Sequence, residues 1–180
     1  LGVAFNCGTE EVVIPFIDKG LSVEYELTRS LRIAAAARRK KVGILETDAR
    51  LFGGLNFQTM GHDPEWEIIR ELKQQYDVER VGASEDYPSN LDVLIVAMPS
   101  SLTQEEMNRL AVYIASGRPT LLVDDPFPTN LPGLSPTDPK GGRRNPMFGG
   151  QPNQQQKGDI LSFLRNINIQ WHFTKIVWQD

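Results

Sequence analysis

Cysteine occurs once in the 180 residues, at Cys7, and histidine twice, at His62 and His172. A single thiol cannot close an internal disulfide, so a stapled extracellular scaffold and a cysteine zinc site are both excluded. Neither histidine has a partner at ligand spacing, which argues against a histidine metal centre. Positive charge is also scarce: 19 Lys and Arg face 23 Asp and Glu, a net charge of −4. A nucleic-acid partner is therefore not expected, because phosphate recognition rests on a basic field. Long apolar runs are missing as well, since stretches such as Ile33–Ala37 and Leu94–Met98 fall far short of the roughly 18 residues of a membrane span. There are no internal repeats or heptads.

What remains is an ordinary globular composition, 40% apolar and 23% charged, in a chain long enough to bury roughly 70% of its unfolded surface in one core. We expect one α/β domain over residues 1–180. The chain opens at Leu1 rather than Met and enters a strand-like segment at once, which leads us to expect a piece of a longer protein.

Two apolar runs, Val3–Phe5 and Val12–Ile14, flank Asn6-Cys7-Gly8-Thr9 and predict an N-terminal β-hairpin. Pro15 would forfeit a ladder hydrogen bond and ends the second strand or marks an edge. A helical pattern follows from about Glu24 to Arg39, with Leu27, Leu31 and Ala34 or Ala35 on one face and Arg38, Arg39, Lys40 and Lys41 complementing its C-terminal dipole. Strand, loop and helix then alternate, which is the α/β signature. Val42–Leu45 is a strand, and Asp63 with Pro64 can open a helix whose buried face is Trp66, Ile69, Leu72 and Tyr76. Strands are expected around Val78–Val81 and over Leu91–Ala97, the latter apolar enough to be covered on both faces. Thr103 and Glu106 have capping-box spacing, Met107, Leu110, Ala111 and Ile114 form an apolar face, and Gly117 ends that helix. Thr120–Val123 reads as a core strand, Asp159 as the cap of a helix carrying Leu161 and Leu164, and Lys175–Trp178 as a last strand. Seven of the 12 prolines lie between Asp124 and Gly158. That stretch cannot form a core, and residues 127–157 are expected to be a mobile Pro/Gly-rich insertion.

Ligands of open parallel sheets usually bind at the carboxyl ends of the strands. The candidate ligand-binding residues there are Glu46 and Asp48 after the first strand, Ser100 after the third, and Asp124 and Asp125 after the fourth. Four carboxylates on one edge could hold a hard divalent cation, although the same residue types are ordinary caps and turns, and we assign no metal site. Met98-Pro99-Ser100-Ser101-Leu102 lacks the small–nucleophile–small pattern of a nucleophile elbow, so no catalytic residue is assigned. Gly53-Gly54 belongs to neither G-x-G-x-x-G nor a P-loop, and no cofactor is expected. Arg143-Arg144 reads as a solvated pair, and Trp171 and Trp178 as core packing.

The order of the motifs carries more than any one of them. Val12-Val13-Ile14-Pro15-Phe16, Glu24-Tyr25-Glu26-Leu27-Thr28-Arg29-Ser30-Leu31, Lys41–Leu45, Leu91–Pro99, Leu102–Glu106, Leu121–Pro126 and Ile176–Asp180 together resemble the ABC-transporter auxiliary family, which includes the gliding-motility GldG-like proteins. The resemblance implies a flavodoxin-like, glutamine-amidotransferase-like three-layer sandwich with a mostly parallel sheet and without the catalytic cysteine. It further implies an extracytoplasmic, periplasmic domain of a membrane-anchored bacterial protein, held by segments outside this chain. Such a domain would be a non-enzymatic binding or scaffold module. Its partners would be the membrane components of an ABC transporter, with a glycan-like or small-molecule ligand possible and no ATP hydrolysis of its own. The competing expectation is a hydrolase or metal-dependent enzyme using the sheet-edge carboxylates.

Overall fold

A parallel strand in the middle of a sheet has no polar side, and two segments of this chain have that composition: β3 (Lys41–Leu45), buried from Val42 on, and β7 (Val93–Ala97), buried at Leu94 and Val96 and half-buried on its other face. They lie side by side in the middle of a four-stranded parallel sheet, with β6 (Asp77–Val81) outside β3 and β8 (Thr120–Val123) outside β7. The computed structural model describes residues 2–7, 10–14, 22–35, 38–56, 61–131, 133–138 and 156–172.

Strand alternation divides the side chains between two cores. Val42 and Ile44 point to the face covered by α2 (Glu67–Gln75), where Ile69 is completely buried and Leu72, Tyr76, Val93 and Ile95 complete the packing. Leu45, Val81, Leu94 and Val96 point the other way, onto Met107, Leu110 and Tyr113 of α3 (Gln104–Ala115) and Ile160, Phe163 and Leu164 of α4 (Ile160–Asn166). Helices on both faces of a mostly parallel sheet make this the α/β sandwich expected from the strand–helix alternation. Thr103 accepts a hydrogen bond from the Glu106 N–H while Glu106 accepts one from the Thr103 N–H at 2.8 Å, so the capping box is present. Asp159 accepts from Ser162 N–H at 3.0 Å and caps α4.

The N-terminal hairpin pairs β1 (Val3–Cys7) with β2 (Glu10–Ile14), joining Cys7 to Glu10. Helix α1 (Val23–Ala35) packs on it and reaches α2 through Arg32 donating to Gln75 at 3.3 Å and Gln75 donating to Tyr25 at 3.3 Å. Its buried positions are Ser30 and Ala34, whereas Leu31, expected inside, is 58% exposed.

Several expectations need correction. Asp63 does not cap α2: it ends a short strand, β5 (Gly61–Asp63), paired with β4 (Gly54–Asn56), and the helix begins after Trp66 without a side-chain cap. The loop was dense enough in Gly and polar residues to fold into its own hairpin. Gly53 makes that possible, since at φ 69° a Cβ there would sit 2.2 Å from the Asp63 carbonyl oxygen. Trp66, outside the helix proper, is 40% exposed. In β8 only Leu122 packs into the core; Leu121 and Val123 are each 51% exposed because α2 covers β6, β3 and β7 but does not reach this strand. The four consecutive cations also leave the helix end. Lys41 opens β3, while Arg38 and Lys40 donate to Asp92 at 3.0 and 3.2 Å.

The described ends of the Pro/Gly-rich stretch are tied to the body. Lys157 donates to the Ser135 carbonyl at 2.7 Å, Ser135 donates to the Pro126 carbonyl at 3.0 Å, and Thr103 bridges Lys157. Gly158 closes this junction, its N–H donating to Leu102 at 2.8 Å, in a place where a Cβ would collide with the Met107 sulfur. Pro15, Arg143-Arg144, Lys175–Trp178 and the insertion's residues 132 and 139–155 lie outside the described residues.

Replacing Ile69 by Ala should cost about 2–5 kcal/mol in denaturant unfolding, as emptied core sites do. Its neighbour Ile68, 52% exposed, should change stability by less than about 1 kcal/mol when truncated. Asp92 sets a second expectation. The Lys41 backbone N–H, then the Lys40 ammonium and the Arg38 guanidinium, hold its carboxyl down to about 2, below the usual 3.8. Its stabilising contribution is complete above 3.8 and disappears as pH falls through about 2. Urea midpoints measured across that interval should be flatter for Asp92→Asn than for the parent chain.

Candidate functional site

The strand order reverses between β3 and β7, because the chain runs from β3 to β6 on one side and then crosses to β7 on the other. Crevices at such switch points, at the carboxyl ends of the strands, are where open α/β sheets bind ligands. Here the loops after β3 and β7 are hydrogen-bonded across the switch point. Thr47 Oγ1 donates to the Ala97 carbonyl at 2.6 Å, and the Asp48 N–H donates to Ser101 Oγ at 3.2 Å.

After β7 the backbone turns sharply. Met98 adopts φ 56°, ψ 54°, a left-handed conformation that costs a non-glycine residue about 1–3 kcal/mol. Its surroundings hold it there: the Met98 N–H donates to Val123 at 2.7 Å, its carbonyl accepts from the Ser101 N–H and hydroxyl, and its sulfur accepts from the Asp125 N–H at 3.4 Å. A single turn of 3-10 helix, Pro99–Ser101, follows, with all three residues buried. The residue pattern of a nucleophile elbow is missing, yet a comparable sharp strand exit is made with a buried Met at the bend.

Of the five candidate residues, two come together. Ser100 donates to Asp124 twice, from its N–H to Oδ2 and from its hydroxyl to Oδ1, each at 2.8 Å. Burial pushes the Asp124 carboxyl above its ordinary 3.8, while those two donors and the Asp125 N–H pull the other way. The other candidates point to separate tasks. Glu46 pairs with Arg80 at 3.1 Å, toward β6. Asp125 accepts from the Phe127 N–H at 2.8 Å, an Asx turn opening the Pro-rich stretch. Asp48 reaches Ser101 through its backbone. Among the described residues no group of three or more His, Cys, Asp and Glu is placed to hold a metal ion. Thr47, Met98 and Ser101 were missed from the sequence. The adjacent Ser100-Ser101 pair after an apolar strand was the signal for Ser101, whereas nothing local marks Met98 for a positive φ.

The Asp124 carboxyl carbon should titrate by NMR above 3.8. Ser100→Ala should move the midpoint further up, since it deletes a donor to the charged form. The same substitution should lower stability by about 1–3 kcal/mol at neutral pH by leaving Oδ1 under-satisfied.

No curated protein and no solved structure matches the chain. The family model for an ABC-type uncharacterized transport system matches residues 39–180, which takes in the whole parallel sheet and both of its helical layers and begins just after α1. The chain therefore belongs to this ABC-type transport family, as an auxiliary component of such a system.

Proposed function

We propose that the chain is a non-enzymatic, extracytoplasmic binding or scaffold domain of a GldG-like auxiliary protein, anchored to the membrane by other segments and docked on the membrane components of the transporter. The observation that carries this reading is the chemistry at the sheet's carboxyl edge. Ser100 is held by Asp124, Glu46 by Arg80 and Asp125 by its own turn. These groups stabilise the strand exits, and the transport role comes from the family. A glycan-like or small-molecule ligand would then be a cargo-side contact of the scaffold, with the chain acting as one domain over residues 1–180.

The alternative, a hydrolase, draws on one contact: Asp124 accepts the Ser100 hydroxyl proton's hydrogen bond at 2.8 Å. The two readings separate in one experiment on the full-length membrane protein. Affinity purification should recover the transporter's membrane subunits equally well from the parent and from Asp124→Asn. Hydrolysis of ester and glycoside substrates that disappears in Asp124→Asn would replace the scaffold by the enzyme. Topology is checked separately, with a cysteine placed at Val112, 71% exposed on α3, in a Cys7→Ser background. Labelling by a membrane-impermeant maleimide in cells with a permeabilised outer membrane is the expected result, and protection until the inner membrane is lysed would place the domain in the cytoplasm.

A further inference from the structure

The opposite edge of the sheet has a different character. Where β3, β6 and β7 begin, a cavity of about 670 Å³ is lined by Arg38, Arg39, Lys41 and Lys73, with Asp77 the only carboxylate among its lining residues. A lining charge of this sign is unexpected in a chain whose net charge is −4. Three of the cations already face carboxylates, and among the described residues the fourth, Arg39, does not. Arg38 is paired with Asp92, and Lys73 with Glu65. Lys41 stands 4.0 Å from Asp77 and 3.9 Å from Glu79, too far for hydrogen bonds. Arg39 is exposed and makes no ion pair or hydrogen bond among the described residues.

The edge already binds one anion of its own. The Asp92 carboxylate accepts from the Lys41 N–H at 2.8 Å and from Arg38 and Lys40, so cations and a backbone donor converge on oxygen here. Beside the basic wall stand Tyr76, Val78 and Asn90. An unpaired guanidinium beside cations that a ligand could share, next to Tyr76 and Val78, suits a phosphate-like anion carrying an organic body. A cavity of several hundred Å³ is the size of small-molecule sites, and a guanidinium fork matches phosphate oxygens geometrically.

We propose that this cavity binds a phosphate monoester, with Arg39 and Lys41 on the phosphate and Tyr76 and Val78 against the organic portion. The site is independent of the scaffold reading, because it lies at the amino ends of the strands, away from Ser100 and Asp124. A soluble phosphorylated metabolite and a phosphatidic-acid headgroup share this chemistry.

The test uses the whole chain at low ionic strength, where screening is weak, with inorganic phosphate as the first probe. Amide resonances of Arg38, Arg39, Lys41, Asp77 and Asn90 should shift saturably, and Arg39→Gln should weaken binding roughly tenfold, the loss expected for one charge-assisted hydrogen bond. Because Arg39 supports no other residue, its variant should keep the parent's melting temperature; Lys73→Gln provides a second, independent reduction. Shifts that fail to saturate, or that Arg39→Gln leaves unchanged, overturn the site. Glycerol 3-phosphate and phosphatidylcholine vesicles with or without phosphatidic acid then identify the source. Binding of the soluble ester supports a metabolite, and binding only to phosphatidic-acid vesicles supports a headgroup. Phosphate binding with neither ester bound overturns the monoester assignment.

Discussion

Everything else in this structure follows from the need to cover β3 and β7 on both faces. A parallel strand in the middle of a sheet exposes no edge and has no solvent side, so its residues must find apolar partners above and below. Val42 and Ile44 meet Ile69 of α2, and Leu45, Leu94 and Val96 meet the α3–α4 layer. Ile69, Leu94, Val96, Met107 and Leu110 are fully buried as a result. Cover by α2 stops short of β8, which is why an apolar strand there presents Leu121 and Val123 outward.

With both faces closed, polar chemistry is confined to the strand ends, and the two ends differ. At the carboxyl edge the polar groups are matched to one another: Ser100 with Asp124, Thr47 with the Ala97 carbonyl, Asp48 with Ser101. This network also holds the left-handed Met98 turn, whose carbonyl accepts from both the Ser101 N–H and the Ser101 hydroxyl. At the amino edge the cations outnumber the carboxylates that line the cavity, and the Asp92 carboxylate is held by Arg38, Lys40 and the Lys41 N–H. At the amino edge Arg39 is left without an ion pair or hydrogen bond among the described residues, whereas the carboxyl-edge groups are matched to one another.

Membership of an ABC-type transport family accounts for residues 39–180. The hairpin and α1 precede that range, and among the described residues α1 meets α2 through hydrogen bonds of Arg32, Gln75 and Tyr25 and the Arg29–Glu71 ion pair.

The α/β class, the two central strands, the Thr103–Glu106 box and the Asp159 cap were all legible in the residues, since each depends on spacing within a dozen positions. The family resemblance was legible for the same reason: it rests on the order of short motifs. The sequence could not reveal that Asp63 joins a hairpin instead of capping α2, because either use satisfies a short carboxylate next to Pro64. Nor could it separate Asp124, which meets Ser100, from Glu46, which meets Arg80; the partners are 24 and 34 positions away and are chosen by strand order. The cluster Arg38–Lys41 read locally as a helix terminus and became the wall of a cavity only when β3, β6 and β7 were set side by side. Local periodicity determined what could be buried, while the sheet's strand order decided which polar groups would meet, because that order alone brings distant strand ends within hydrogen-bonding reach.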